Sequence, residues 1–427
     1  PAFLYLPEAD AWLPGPGAPP AEAATTAADA DGADAPGADA TTAADPPAAD
    51  APGTWPRSAG AQRPQPPADL LDAAIAALHA ALIRCAADGV PFRLGAGAPP
   101  GLVLSGFRHL GHAIWEEMQA IDQVLAHRGL WPAPPVFYVL REASGIPLFG
   151  DPAEIYPEVA GGFPRVANLE EAVRHALAHG VQLHLRKGRL VRRATRERLA
   201  GFATRHGAAT GLAAQAEALL GVGPARLPCL VLGLRLTSRT PEDFAGLLER
   251  LTRQLVAALG PMVVVIDGMN ADPETGRAAT LVFNAAVRLQ DGNATMQAER
   301  EFAAAYAAAV ADLPVRVVDC VGTPIRENLF WLSQADFFVA PNGAGVAKLR
   351  WALDVPGFVL TSRINLDFCS WVGIYADEGT MEPPFTRMEL TRRDEVRDTP
   401  LDPPRAAAPV MTTTPYPEGF VVDEAKV

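Results

Sequence analysis

Short, largely apolar runs recur through the second half of the chain, separated by stretches of helical period. Residues 229–236, 262–266, 315–318, 337–340 and 357–360 are such runs, too short and too rich in Val, Leu, Ile and Phe to be helices. Between them, Thr240-Pro241-Glu242-Asp243 reads as an N-cap with Pro at the first helical position, opening a helix to about 259. Residues 294–311, 325–334 and 346–352 read as further helices. Five largely apolar strands separated by helices predict a parallel sheet covered on both faces, a Rossmann-like domain. The first half alternates in the same way: helix from Asp69 to 87, strand 101–106, helix 110–128, strand 135–140 and helix 169–179. Residues 181–185 and 189–192 suggest a hairpin around Lys187-Gly188, and 194–220 a helix.

Residues 14–67 break the pattern. They are Ala, Pro, Asp, Thr and Gly with almost no large apolar side chain, so they cannot bury enough surface to offset their ordering entropy. The expected fold class is therefore α/β, with two Rossmann-like domains preceded by a disordered acidic Ala/Pro-rich segment. That places the segment at 1–67, an N-terminal α/β domain at 68–222 and the Rossmann-like domain at 223–363. A Pro-rich tail at 364–427 would be positioned to cross back to the N-terminal domain.

Charge refines this picture. The net charge of −13 is concentrated in the first 69 residues, which hold ten acidic side chains against Arg57 and Arg63. An acidic chain is a poor general binder of nucleic acid, whose affinity comes from cations on phosphates. Four widely separated cysteines give neither a zinc knuckle nor a disulfide framework. With no leader and no apolar run of about 18 residues, a cytoplasmic protein without a membrane span is expected, and a homo-oligomer is compatible with it. The start at Pro1 reads as processed or trimmed.

In an open parallel sheet ligands bind beyond the carboxyl ends of the strands, so the residues there are the candidates. They are Arg235 and Arg239, Asp267, 322–328, 342–348 and Ser362-Arg363. The sharpest is Asn342-Gly343-Ala344-Gly345, where an apolar strand runs into a small-residue turn and then a helix carrying Lys348. Backbone N–H groups converging there would suit a diphosphate or carboxylate; a turn that serves only packing is the alternative. His175 and His179 have the i, i+4 spacing of a metal pair but lack the Glu of H-E-x-x-H and a third ligand, so no metal site is expected.

The stretch 333–345, Ser-Gln-Ala-Asp-Phe-Phe-Val-Ala-Pro-Asn-Gly-Ala-Gly, resembles the "adv.v..hGAGl.n" segment of bacterial family 61-type glycosyltransferases and their GT-B relatives. Asn342 stands where those usually carry His. Leu234-Arg235 to Arg239 and Val265-Ile266-Asp267-Gly268 are similar to strand ends of the same domain, and Gly111-His112-Ala113-Ile114-Trp115-Glu116 to the "GH.lWe" helix of the N-terminal one. The resemblance implies a metal-independent GT-B transferase in polysaccharide or glycoconjugate synthesis. A nucleotide-sugar donor would serve as substrate, with no separate cofactor, and a glycan or glycoconjugate would be the acceptor.

Such a reaction needs cations and amides for the leaving diphosphate and a base for the acceptor hydroxyl if configuration inverts. Arg235 and Arg239 are candidates for the clamp, with surface pairing to Glu242 or Asp243 as the alternative. Asp267 is a candidate acceptor for a ribose hydroxyl, or an ordinary turn residue. For the base, His112 with Glu116 as orienter is the first choice and His109 the second; a packed or surface histidine is the alternative for both. Two other functions remain open, a degenerate scaffold in which Asn342 marks lost chemistry, and a sugar-nucleotide epimerase.

Overall fold

The computed structural model describes residues 3–6, 11–14, 79–89, 98–104, 109–130, 133–141, 144–185, 190–236, 240–272, 275–279, 282–283, 289–368, 373–375, 380–399 and 419–423. Most of the acidic segment, Arg239, Ser105 to Arg108 and the Lys187-Gly188 turn lie outside the described residues. Within the acidic segment, Phe3–Leu6 and Ala11–Pro14 pair antiparallel.

Two parallel sheets organise the chain. The first is built from β1 (Pro100–Leu104), β2 (Val136–Leu140), β3 (Arg165–Val166) and β4 (Gln182–Leu185), in the order β3-β2-β1-β4 with every pair parallel. The second contains β5 (Cys229–Gly233), β6 (Met262–Asp267), β7 (Val315–Asp319), β8 (Phe337–Pro341), β9 (Gly357–Leu360) and β10 (Met388–Leu390). Its order is β7-β6-β5-β8-β9-β10, again parallel throughout. By order of appearance this is 3-2-1-4-5-6, the doubly wound order whose direction reverses between β5 and β8. Every residue of β5 and β6 is buried, as a strand covered on both faces requires.

Local signals gave way to distant partners at several places. The sheet has a sixth strand because Met388–Leu390 joins its edge; three residues next to prolines are too short to show a period. Thr240–Pro241 does not open a helix. It is a short strand pairing with Gly419–Val422, and the helix Phe244–Leu259 starts behind Asp243, which holds a left-handed φ of 48°. Among the described residues no hairpin partner is seen for β4: it pairs with β1, while Val191 bridges Met381. The helix expected over 194–220 is cut at Gly211 (φ 79°) into Arg193–Thr210 and Leu212–Leu220.

The two sheets share one apolar core. It runs from Leu102, Leu104 and Ile114 through Leu199 and Phe202 to Val231, Leu329 and Trp351. Helix Arg193–Thr210 is the wedge between them, and Gly207 is required there, since a Cβ would stand 2.1 Å from the Phe330 ring. Residues 380–384 run back along this helix. Val191 N–H donates to Thr380 O (2.7 Å), and the Arg196 guanidinium donates to the carbonyls of Glu382 (2.5 Å) and Pro384 (3.1 Å). Among the described residues no helix is long and apolar enough to cross a membrane.

Candidate functional site

A small crevice opens beyond the carboxyl ends of β5 and β8, at the reversal point of the second sheet. Gly233, Leu234, Arg235, Asp267, Gly268, Pro341, Gly343 and Gly345 are among its lining residues. The strands come unusually close here: a Cβ on Gly233 would lie 2.6 Å from that of Ala340. Four of the strand-end candidates, Arg235, Asp267, Gly343 and Gly345, therefore meet in one place, with Asn342 buried at the base of the turn and its N–H donating to Leu360 O (2.8 Å).

The turn is built differently from a long helix N-terminus. Val346, Ala347 and Lys348 donate their N–H groups back to the carbonyls of Gly343, Ala344 and Gly345 (3.1 Å each), and Lys348–Ala352 then winds as a short π-helix. The helix amides are thus consumed, which corrects the expectation that they face a ligand. The amides of Gly343, Ala344 and Gly345 themselves meet no protein acceptor among the described residues. Consecutive unpaired amides in a turn can accept an anion. Over them lies Arg235, whose Nη1 would be 2.5 Å from a Cβ on Gly343, so the glycine is what lets the guanidinium reach the backbone.

Lys348 does not face the crevice. Its ammonium is 2% exposed, paired with the Asp267 carboxylate, and donates to Gly268 O (3.2 Å) and Asn270 Oδ1 (3.1 Å). Asp267 also accepts from Asn328 Nδ2 (2.9 Å). The two charges expected to bind a ligand separately satisfy each other, and their joint effect is to brace the turn from below.

Beside them is Glu299, which strand-end reasoning missed. It is 3% exposed and accepts from Met269 N–H (2.6 Å), and its Oε2 would touch a Cβ on Gly268 at 2.5 Å. Burial pushes its carboxyl up to about 7, with Asp267 adding to the rise, while the Met269 amide, Lys348 and Arg235 oppose it. A signal existed in the sequence: Met296, Glu299, Ala303 and Tyr306 form the buried stripe of helix Gly292–Ala309, and a carboxylate in an apolar stripe needs a reason.

The histidine candidates sit on the other sheet's side. Leu110–His112, Ala113–Met118 and Gln119–Ala126 form one continuous helix whose middle piece is wound as π, a form frequent at functional sites. His109 precedes its first residue, with its ring 5.2 Å from that of His112. His112 Nδ1 lies 3.1 Å from Glu116 Oε1, and the two side chains are 35% and 13% exposed. The next position of this face, Trp115, packs on Trp351 at 5.5 Å between centroids, and Trp351 on Tyr375 at 4.7 Å. Tyr375 donates its hydroxyl to Gly343 O (3.1 Å). An aromatic line thus joins the histidine helix to the glycine turn. His175, by contrast, is engaged by the Tyr138 hydroxyl (2.9 Å), far along the chain from these residues.

No known protein family and no curated protein matches the sequence. Among solved structures, the chain is similar to the UDP-GlcNAc 2-epimerase of Neisseria meningitidis bound to UDP-GlcNAc. The identity is 10% and the TM-score 0.28, over 66% of this chain and 87% of that one. A likeness of that size carries no argument about function. The α/β architecture rests on the strand order itself.

Proposed function

We propose that the chain binds a nucleotide-activated sugar by its diphosphate in the β5/β8 crevice and transfers the sugar to a hydroxyl presented near His112. The observation that carries this reading is the meeting of Gly343 and Gly345 with Arg235 in one crevice, the guanidinium lying against Gly343, at the reversal point of a 3-2-1-4-5-6 sheet. Arginine and fixed amides stabilise the negative charge that grows on the leaving diphosphate, and being preorganised they cost no rearrangement at that moment.

In this reaction the acceptor oxygen forms a bond to the anomeric carbon, the carbon–phosphate oxygen bond breaks, and the acceptor proton passes to His112. With Glu116 on Nδ1, Nε2 is the accepting nitrogen, and the carboxylate stabilises the imidazolium that results. The resemblance to family 61-type transferases agrees with the order of these parts along the chain. The test is a thermal-shift screen with nucleoside diphosphates and nucleotide sugars, followed by turnover with and without glycan acceptors. A fitting ligand at 100 times Kd should stabilise the fold by about 2.7 kcal/mol. No stabilisation by any nucleoside diphosphate would remove the reading. Turnover in the absence of acceptor would replace transfer by epimerisation, and binding without turnover would leave a scaffold.

A further inference from the structure

We propose that Tyr375 is a positioning residue for the diphosphate-binding turn and couples it to the helix that carries His112. This rests on the crevice reading above. The Gly343 carbonyl accepts two hydrogen bonds, from Val346 N–H and from the Tyr375 hydroxyl, both at 3.1 Å. A trans peptide unit is planar, so the direction of the Gly343 carbonyl fixes the opposite direction of the Ala344 N–H. That amide is the middle one of three consecutive amides in the turn, and the residues on either side of it, Gly343 and Gly345, line the crevice. With glycine at 343 and 345 the turn has wide backbone freedom, so the Tyr375 hydroxyl adds an anchor from outside the turn to the Val346 bond within it.

Tyr375 is itself held. It is 7% exposed, its carbonyl accepts from Arg350 Nε (3.3 Å), and Arg350 also grips Val355 O (2.7 Å) and Thr386 O (2.8 Å). The anchor is therefore tied into the β8–β9 connection and the tail rather than into the turn it serves. Its ring continues through Trp351 to Trp115, one helical turn from His112. Occupancy of the amides is thereby felt at the base, and a shift of the base is felt at the amides.

Two substitutions separate these roles. Tyr375→Phe keeps the ring and removes the hydroxyl; Trp351→Phe keeps the hydroxyl and thins the ring contact. Each is titrated calorimetrically with inorganic pyrophosphate and UDP, and labelled with 5-fluorotryptophan, the Trp115 resonance being assigned by Trp115→Phe. Tyr375→Phe is expected to bind about five- to tenfold more weakly, the scale of one neutral hydrogen bond, and to lose the ligand-induced Trp115 shift at saturation. Trp351→Phe is expected to keep affinity within about twofold while losing the Trp115 shift. Unchanged affinity in Tyr375→Phe, or an undiminished Trp115 shift in either variant, overturns the coupling. Equal affinity losses in both variants would mark a loosened fold and overturn it too. Failure of the parent protein to bind either probe falls on the crevice reading first, so the two failures are told apart by which protein shows them.

Discussion

The two strand-end regions solve opposite problems. In the β5/β8 crevice the ionisable groups are withdrawn from water: Asp267, Lys348 and Glu299 are each no more than 3% exposed and hold one another and the neighbouring backbone. On the histidine helix, His112 keeps about a third of its side chain accessible and leans on Glu116. A buried, mutually satisfied set makes a rigid frame for a ligand that must be held in one pose. A group that must give and take protons needs contact with solvent or substrate. Under the proposed function binding falls to the first region and turnover to the second, and substitutions that affect the wrong property would break that division.

The largest expected effect is on rate. His112→Ala should lower transfer by about 10²- to 10⁴-fold, the usual cost of losing a positioned base, with nucleotide affinity unchanged. His109→Ala, whose ring lies 5.2 Å away, is the matched control and should transfer near the parent rate. If stopped assays find parental transfer in both variants, the histidine helix is structural and the contrast between the regions disappears.

On the crevice side the corresponding substitution should strike stability. Lys348→Met leaves the Asp267 carboxylate buried without its cation, a change that costs about 3–5 kcal/mol. Combining it with Asp267→Asn should recover much of that loss in urea unfolding, because the pair is removed together. A single variant as stable as the parent would show that Lys348 is not the brace described. Arg235→Ala comes next: it should weaken nucleoside diphosphate binding by about 1.5–3 kcal/mol, with the unfolding midpoint little changed. Intact affinity with lowered stability would return Arg235 to the structural role weighed from the sequence.

Much of the frame was legible because its signals are local. The apolar runs 229–236, 262–266 and 337–340 hold strands in the structure, the first ending at Gly233, and Arg235, Asp267, Gly343 and Gly345 do converge beyond them. What was illegible depends on pairing between distant segments. Nothing near Lys348 says that it turns inward to Asp267, 81 positions away, and Thr240–Pro241 becomes a strand only through its partner at 419–420. Tyr375 carries no sequence signal, since its role lies in one hydroxyl reaching one carbonyl 32 positions earlier. Glu299 was legible in principle, as the carboxylate in a buried stripe, but strand-end reasoning does not look at helices.

The smallest effect expected is a pH dependence, and its sign follows from Glu299. Its carboxyl is pushed up to about 7 from an ordinary value of 4.5, so between those two values the folded protein holds a proton that the unfolded chain has released. Stability from this group is complete below the unfolded value and is lost as pH rises through about 7. Ligand binding should follow the same direction. Above about 7 the carboxylate adds negative charge beside Asp267 and Gly268, at the edge of the crevice proposed to receive the diphosphate, so affinity should fall as pH rises from 6 to 8. Arg235 and Lys348 lie close enough to offset part of that charge, which limits the change to about tenfold or less, the equivalent of one pKa unit. Glu299→Gln cannot ionise and keeps an acceptor for the Met269 amide, so its nucleotide affinity should be nearly flat across this range. Calorimetric titrations of UDP at pH 6, 7 and 8 in two buffers of different ionisation enthalpy would also count protons, and the parent should take up a fraction of one near pH 7 where the variant takes up none. An equal slope in both proteins would assign the pH dependence to the phosphate or the histidines, and would leave Glu299 as a buried cap on the 268–270 loop.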